Sequence, residues 1–122
     1  MTAAQLLTRL GEVFDAHEWD DLPGLLHPDL MVRYVHTGEI LDRDEFVRLN
    51  AEYPGFERFW WEDIVDAGDR AVGRGVVTGR NDGKEERFGV ATFATVRDGL
   101  ITAITEVWTG IDSGPPADRR PG

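Results

Sequence analysis

The sequence predicts an α+β domain in which three helices from the N-terminal half cover a curved antiparallel sheet, in the order α-α-β-α-β-β-β-β. Two patterns predict it. Up to Leu49 the apolar residues fall mostly at helical spacings behind capping residues, whereas from Phe56 to Gly110 they alternate and are punctuated by glycine-containing turns. The length of 122 residues suits one domain, residues 1–112, able to bury about two thirds of its unfolded surface in a single core.

Thr2 followed by Gln5 is a capping-box pattern, and Leu6, Leu7, Leu10, Val13 and Phe14 then make one apolar stripe, so a first helix is expected from Ala3 to His17. Asp20 or Asp21 can cap a second, short helix through Leu22, Leu25 and Leu26, with Pro23 in its first turn and Pro28 ending it. From Leu30 to His36 the period changes to two, putting Leu30, Val32, Tyr34 and His36 on one face of a first strand. Thr37-Gly38 turns the chain and Ile40-Leu41 links it to a third helix, capped by Asp42 with Glu45 and ended by Pro54-Gly55.

Four strands follow. Phe56–Val65, Arg70–Gly79, Glu86–Val96 and the run after Asp98-Gly99 are joined by turns at Asp66–Asp69, Asn81–Gly83 and Asp98-Gly99, which makes an antiparallel meander. Ala71, Gly73 and Gly75 leave one face of the second of these strands nearly flat, a sign of strong curvature or of close approach by a helix, a subunit or a ligand. Ser113–Gly122 is rich in Pro, Gly and charge without periodicity and reads as a flexible tail.

Composition narrows the function. A net charge of −10 disfavours nucleic acid and anionic membrane as partners. There is no cysteine, hence no disulfide or thiolate chemistry, and no apolar run approaches membrane length, so a soluble cytoplasmic protein is expected. His17, His27 and His36 lack metal-ligand spacing, no Gly-x-Gly-x-x-Gly follows a strand, and the lone serine, Ser113, sits in the tail. Neither metal nor cofactor is implied.

The last strand, up to Gly110, carries the chemistry. Thr102, Ile104, Glu106 and Trp108 share one face, which sets a single acid between apolar neighbours. Either that face is solvated and Glu106 is an ordinary carboxylate, or the sheet bends around a pocket in which desolvation raises the acid's pKa to suit proton transfer. Tyr34 and His36 point the same way from the first strand and are its candidate partners, against packing and solvent exposure as their ordinary roles. Trp60, Trp61 and Trp108 are either wall for a ring-bearing neutral ligand or core and interface. Alternation sends one of the adjacent pair inward and the other outward, and either order is open.

His27-Pro-Asp-Leu before the first strand, Ala67-Gly-Asp-Arg-Ala-Val, Asp98-Gly-Leu-Ile and Thr105-Glu-Val-Trp, in this order of elements, resemble the SnoaL-like, polyketide cyclase-like branch of the nuclear transport factor 2-like superfamily. The resemblance spans the first helix to Gly110, with Val107 where Tyr is usual, and implies a cone-shaped sheet, the cystatin-like roll. It also implies a cavity between that sheet and the first helix, and a homodimer through the sheet. Phe14, Ile104 and Thr92 then join the tryptophans as candidate ligand-binding residues. Tyr34 stands about where ketosteroid isomerase-like members carry their aspartate base, and Thr92 about where they carry a hydrogen-bonding acid. Thr109 and Gly110 stand where SnoaL cyclases place a catalytic aspartate. Glu106 is the remaining acid, and the resemblance implies a small, largely apolar ligand with cofactor-free isomerase, cyclase or dehydratase-type proton transfer, or else a non-catalytic binding or dimerising module.

Overall fold

The computed structural model describes residues 1–111. The expected tail, 113–122, lies outside the described residues, as does the last residue of the expected 1–112 domain. Helix α1 (Ala3–Ala16) begins at the expected capping box: the Gln5 N–H donates to Thr2 Oγ1 at 3.1 Å and the Thr2 N–H donates to Gln5 Oε1 at 2.8 Å. Its apolar stripe is buried along its whole length, each Leu or Phe stabilising the fold by roughly 1.5–3 kcal/mol. Asp15 near its end accepts two bonds from the Arg58 guanidinium, at 2.7 and 3.0 Å, and one from the Phe59 N–H at 3.0 Å. That clamp sets Phe14 against Phe59, edge to face at 5.4 Å.

The second expected helix is instead two 3-10 turns, Trp19–Asp21 and Pro23–Leu25. No side chain caps either turn, and Pro23 supplies no N–H, so an α-helical ladder has nothing to start on. The first strand consequently starts earlier than expected and runs through Pro28: β1 spans Leu26–Tyr34. Pro28 sits on the exposed side where pairing with the neighbouring strand is irregular, between Leu26 and Met31, so its missing donor breaks no regular ladder. The Ile40-Leu41 link forms a two-residue strand, β2, and α2 (Arg43–Ala51) follows behind the Asp42–Glu45 capping box.

Strands β3 (Phe56–Ala67), β4 (Arg70–Asn81), β5 (Lys84–Arg97) and β6 (Leu100–Gly110) form the expected antiparallel meander. The full order is β2-β1-β6-β5-β4-β3, and β1 lies parallel to β6, so the sheet is mixed. Parallel neighbours need a long crossover, here everything from α2 to β5. Register irregularities in β3 and between β5 and β6 mark bends, and the sheet curves over α1 without closing.

The flat glycine face is filled from within the chain. Trp61 turns inward and its indole N–H donates to the Leu7 carbonyl at 2.7 Å, while a Cβ built on Gly11 or on Gly73 would each come within 2.5 Å of its ring. Gly75 meets Phe59 in the same way, at 2.8 Å. Three glycines on α1 and β4 thus make the slot that lets one indole bridge helix and sheet.

Gly11 gives a signed test. On propensity alone Gly11→Ala gains about 1 kcal/mol in a helix interior. Overpacking against Trp61 outweighs that, and Gly11→Ala is expected to lower stability by ~1–2 kcal/mol in urea unfolding. In a Trp61→Ala background the penalty should shrink or reverse.

Candidate functional site

The concave face, the C-terminal half of α1 and the α2 end enclose a cavity of about 420 Å³, within the range of small-molecule sites. Its apolar wall is Phe14, Trp19, Leu49, Phe56, Phe59, Val77, Phe88 and Trp108. Its polar groups come from Tyr34, His36, Thr37, Glu39, Asn50, Tyr53, Glu106 and Thr109, and Gly110 completes the lining.

Strand pairing places the central polar groups. Tyr34 is the cross-strand partner of Glu106 in the parallel β1–β6 pair, and Thr92 is its partner in the antiparallel β6–β5 pair. Inward-facing residues of adjacent strands are side-by-side neighbours, so Tyr34, Glu106 and Thr92 form one row across the concave face. The Thr92 hydroxyl donates to Glu106 Oε2 at 2.9 Å, and the Trp108 indole N–H donates to Oε1 at 3.1 Å. The tryptophan can only donate, whereas the threonine hydroxyl can donate to the carboxylate or accept from the acid. Both protonation states of Glu106 therefore have partners.

Glu106 is 4% exposed and has no cationic neighbour within ion-pair distance among the described residues. Burial pushes its pKa up from 4.5 to about 7, against the two hydrogen bonds, which favour the ionised form. Burial and the charge of Glu106 also raise the Tyr34 phenol well above its ordinary value, so it keeps its proton and remains a donor. His36 lies just past β1 in an exposed turn at the cavity's edge, its ring 5.7 Å from Tyr34 and 6.5 Å from Trp108.

Five of the residues named from sequence thus line one cavity: Glu106, Tyr34, His36, Trp108 and Phe14. Four do not. Trp60 is on the convex face at 38% exposure, and Trp61 is committed to the glycine slot. Ile104 is packed in the core, and Thr92 stands behind Glu106 and touches the cavity only through it. Phe59 and Phe88 were legible in principle, since each shares its strand's inward parity. Glu39, Asn50 and Tyr53 carry no local signal and arrive through the 35–39 turn and the end of α2. Among the described residues no group of three or more His, Cys, Asp or Glu is placed to hold a metal, and no helix is long and apolar enough to cross a membrane.

The raised pKa of Glu106 has a stability signature. Below 4.5 the residue is protonated in both the folded and the unfolded chain, and above about 7 it is ionised in both, so between these limits the folded protein binds the extra proton. Stability from this group falls as pH rises through that window, by up to about 3 kcal/mol. Glu106→Gln keeps both hydrogen bonds, its oxygen accepting from Trp108 and its amide donating to Thr92. Its melting temperature should therefore overtake that of the wild type progressively from pH 4.5 to pH 7. The Asp15 carboxyl, lowered by its bond to Arg58, acts in the opposite sense and only below its ordinary 3.8, so the two effects separate on the pH axis.

Solved structures of other proteins share this architecture. A protein from Kribbella flavida DSM 17836 described as a candidate ketosteroid isomerase superposes with a TM-score of 0.81 at 24% identity, over 96% of this chain and 84% of its own. An LEH-like epoxide hydrolase of M. tuberculosis superposes at 0.75 with 14% identity, over 88% and 82%. A candidate SnoaL-like polyketide cyclase from Jannaschia sp. CCS1 gives 0.73 with 18% identity, over 85% and 83%. At these identities the likeness is one of fold. No protein of curated function matches the sequence. Residues 7–104 match the family described as the SnoaL-like domain, which is most of the chain, and the protein belongs to that family.

Proposed function

We propose that the chain binds a small, ring-bearing, largely apolar molecule in this cavity and moves a proton on it without a cofactor. The observation that supports this most directly is Glu106, an acid buried among aromatic residues, held by two neutral donors and poised near neutral pH. In this reading the ionised carboxylate takes a proton from a carbon next to a carbonyl. The pair of electrons left behind moves onto the carbonyl oxygen, which accepts a hydrogen bond from the Tyr34 hydroxyl. Glu106, now neutral, returns the proton to a second carbon, which is an isomerisation, or to a departing hydroxyl, which is a dehydration. His36 stands at the edge of the site beside Tyr34 and Trp108 as a further polar partner. The neighbours named as isomerase, cyclase and hydrolase support an enzymatic use of the fold.

Exchange of the α-protons of 2-tetralone in D2O, followed by NMR, tests this. The protein is expected to accelerate exchange, with a rate rising through an ionisation near pH 7, and Glu106→Gln should lower it by about 100-fold or more. Thr92→Val removes a bond that favours the carboxylate, so the midpoint of the pH profile should move upward. An unchanged rate in Glu106→Gln would remove the mechanism.

A second reading, a non-catalytic binding module, is favoured by Tyr34 and Thr92 standing where related isomerases are expected to carry acids. It requires ligands to raise the melting temperature while remaining chemically unaltered. In either reading the convex face suits a homodimer, because Met31, Trp60, Val65, Phe93 and Val107 are all exposed there. Phe93→Asp should convert such a dimer to monomer in sedimentation without disturbing the concave face.

A further inference from the structure

The charge on the cavity wall is one-sided. Its ionisable groups are Glu39, Glu106, Tyr34, Tyr53 and His36, and neither lysine nor arginine lines it. Glu39 sits beside Tyr34, whose N–H donates to the Glu39 carbonyl at 3.0 Å, and its carboxylate acts on the Tyr34 phenol together with Glu106 and Tyr53. Among the described residues no cation pairs with Glu39. Tyr34 itself is only 6% exposed, lines the cavity, and its hydroxyl bonds to no protein group among the described residues. The ring is buried while the hydroxyl, which is not among the buried unpartnered atoms, is left to the cavity.

An apolar ketone has no use for Glu39, and an anionic ligand would be repelled by it and by the chain's net charge of −10. A protonated amine would gain from the carboxylate, and from the rings of Tyr34 and Tyr53, which attract cations through their π faces. From Glu106 through Tyr34 to Glu39 the backbone steps across two neighbouring chain segments, roughly 10 Å at ordinary strand spacing. The row therefore offers two stations, a proton acceptor at Glu106 and a cation partner at Glu39, with a phenol between them.

We propose that the ligand is a compact ring-bearing molecule carrying a protonated amine, seated with its ammonium at the cavity mouth between Glu39, Tyr34 and Tyr53. This rests on the reading of the cavity as a ligand site, but not on Glu106 performing chemistry. Three probes of one shape and different charge test it: 3-phenylpropylammonium, 3-phenylpropan-1-ol and 3-phenylpropanoate, titrated against the intrinsic tryptophan fluorescence at pH 7.5 and low salt. The ammonium should bind at least tenfold more tightly than the alcohol, and the carboxylate more weakly than either. Glu39→Gln, checked for an unaltered melting profile, should bring the ratio of ammonium to alcohol affinity close to one, and 0.5 M salt should reduce it in the wild type. An alcohol that binds as tightly as the ammonium, a preference that survives Glu39→Gln, or no binding by any probe would each overturn the proposal. Ammonium selectivity in a protein that fails to exchange 2-tetralone protons would uphold it while removing the proton-transfer reading.

Discussion

The site depends on where β6 is inserted. Because it lies between β1 and β5, its inward-facing Glu106 has a strand on either side and no route to bulk water along the sheet. At a sheet edge the same carboxylate would be solvated and ordinary. Flanked by Tyr34 and Thr92 in register, and with Trp108 two residues further along its own strand, it is desolvated yet hydrogen-bonded at both oxygens. Burial without partners would have been prohibitive, and partners without burial would have left the pKa in its usual range. The combination is what brings the acid near neutrality.

That row is only useful if a hollow stands in front of it, and the hollow is produced elsewhere. Trp61 locks the N-terminal half of α1 onto β3 and β4 through the glycine slot, closing that end of the concave face with a bonded indole. At the other end the clamp of Asp15 on Arg58 and Phe59 fixes α1 over the sheet, while the two 3-10 turns and α2 carry the chain around the opening. Large rings there meet at tilted or edge-on angles, Phe14 with Trp19, Phe46 and Phe59; Phe46 is core, while Phe14, Trp19 and Phe59 line the cavity. One end of the roll is core and the other is cavity, and the glycines and aromatics decide which is which.

The electrostatic character of the cavity follows from the same division. Its apolar wall comes from α1, the first 3-10 turn, α2 and strands β3 to β6, and its polar groups come from β1, the segment after it, the end of α2 and β6. The two acids lie on the polar wall at different depths, one enclosed and one exposed. Glu106, Tyr34 and Glu39 thus stand in one row that runs from the buried to the exposed end of that wall.

Much of this was legible in the residues themselves. Both capping boxes, the apolar stripe of α1, the meander and its turns, and the inward parity of Leu30, Val32, Tyr34, Ile104, Glu106 and Trp108 follow from local periodicity and turn chemistry, which tertiary packing left intact. The expected second helix gives way to 3-10 turns because Pro23 and uncapped acids support no more, and Pro28 masks the early start of β1. Long-range choices were decided only by the folded chain. The parallel pairing of β1 with β6, the inward turn of Trp61 rather than Trp60, and the arrival of Glu39 and Tyr53 beside Tyr34 depend on contacts between segments far apart in sequence, and no spacing within a strand or helix encodes them. The sequence alone determined that a lone acid sits on an apolar strand face. The tertiary structure decided that this face is concave, enclosed and open to a cavity, because curvature and enclosure arise from how strands and helix meet.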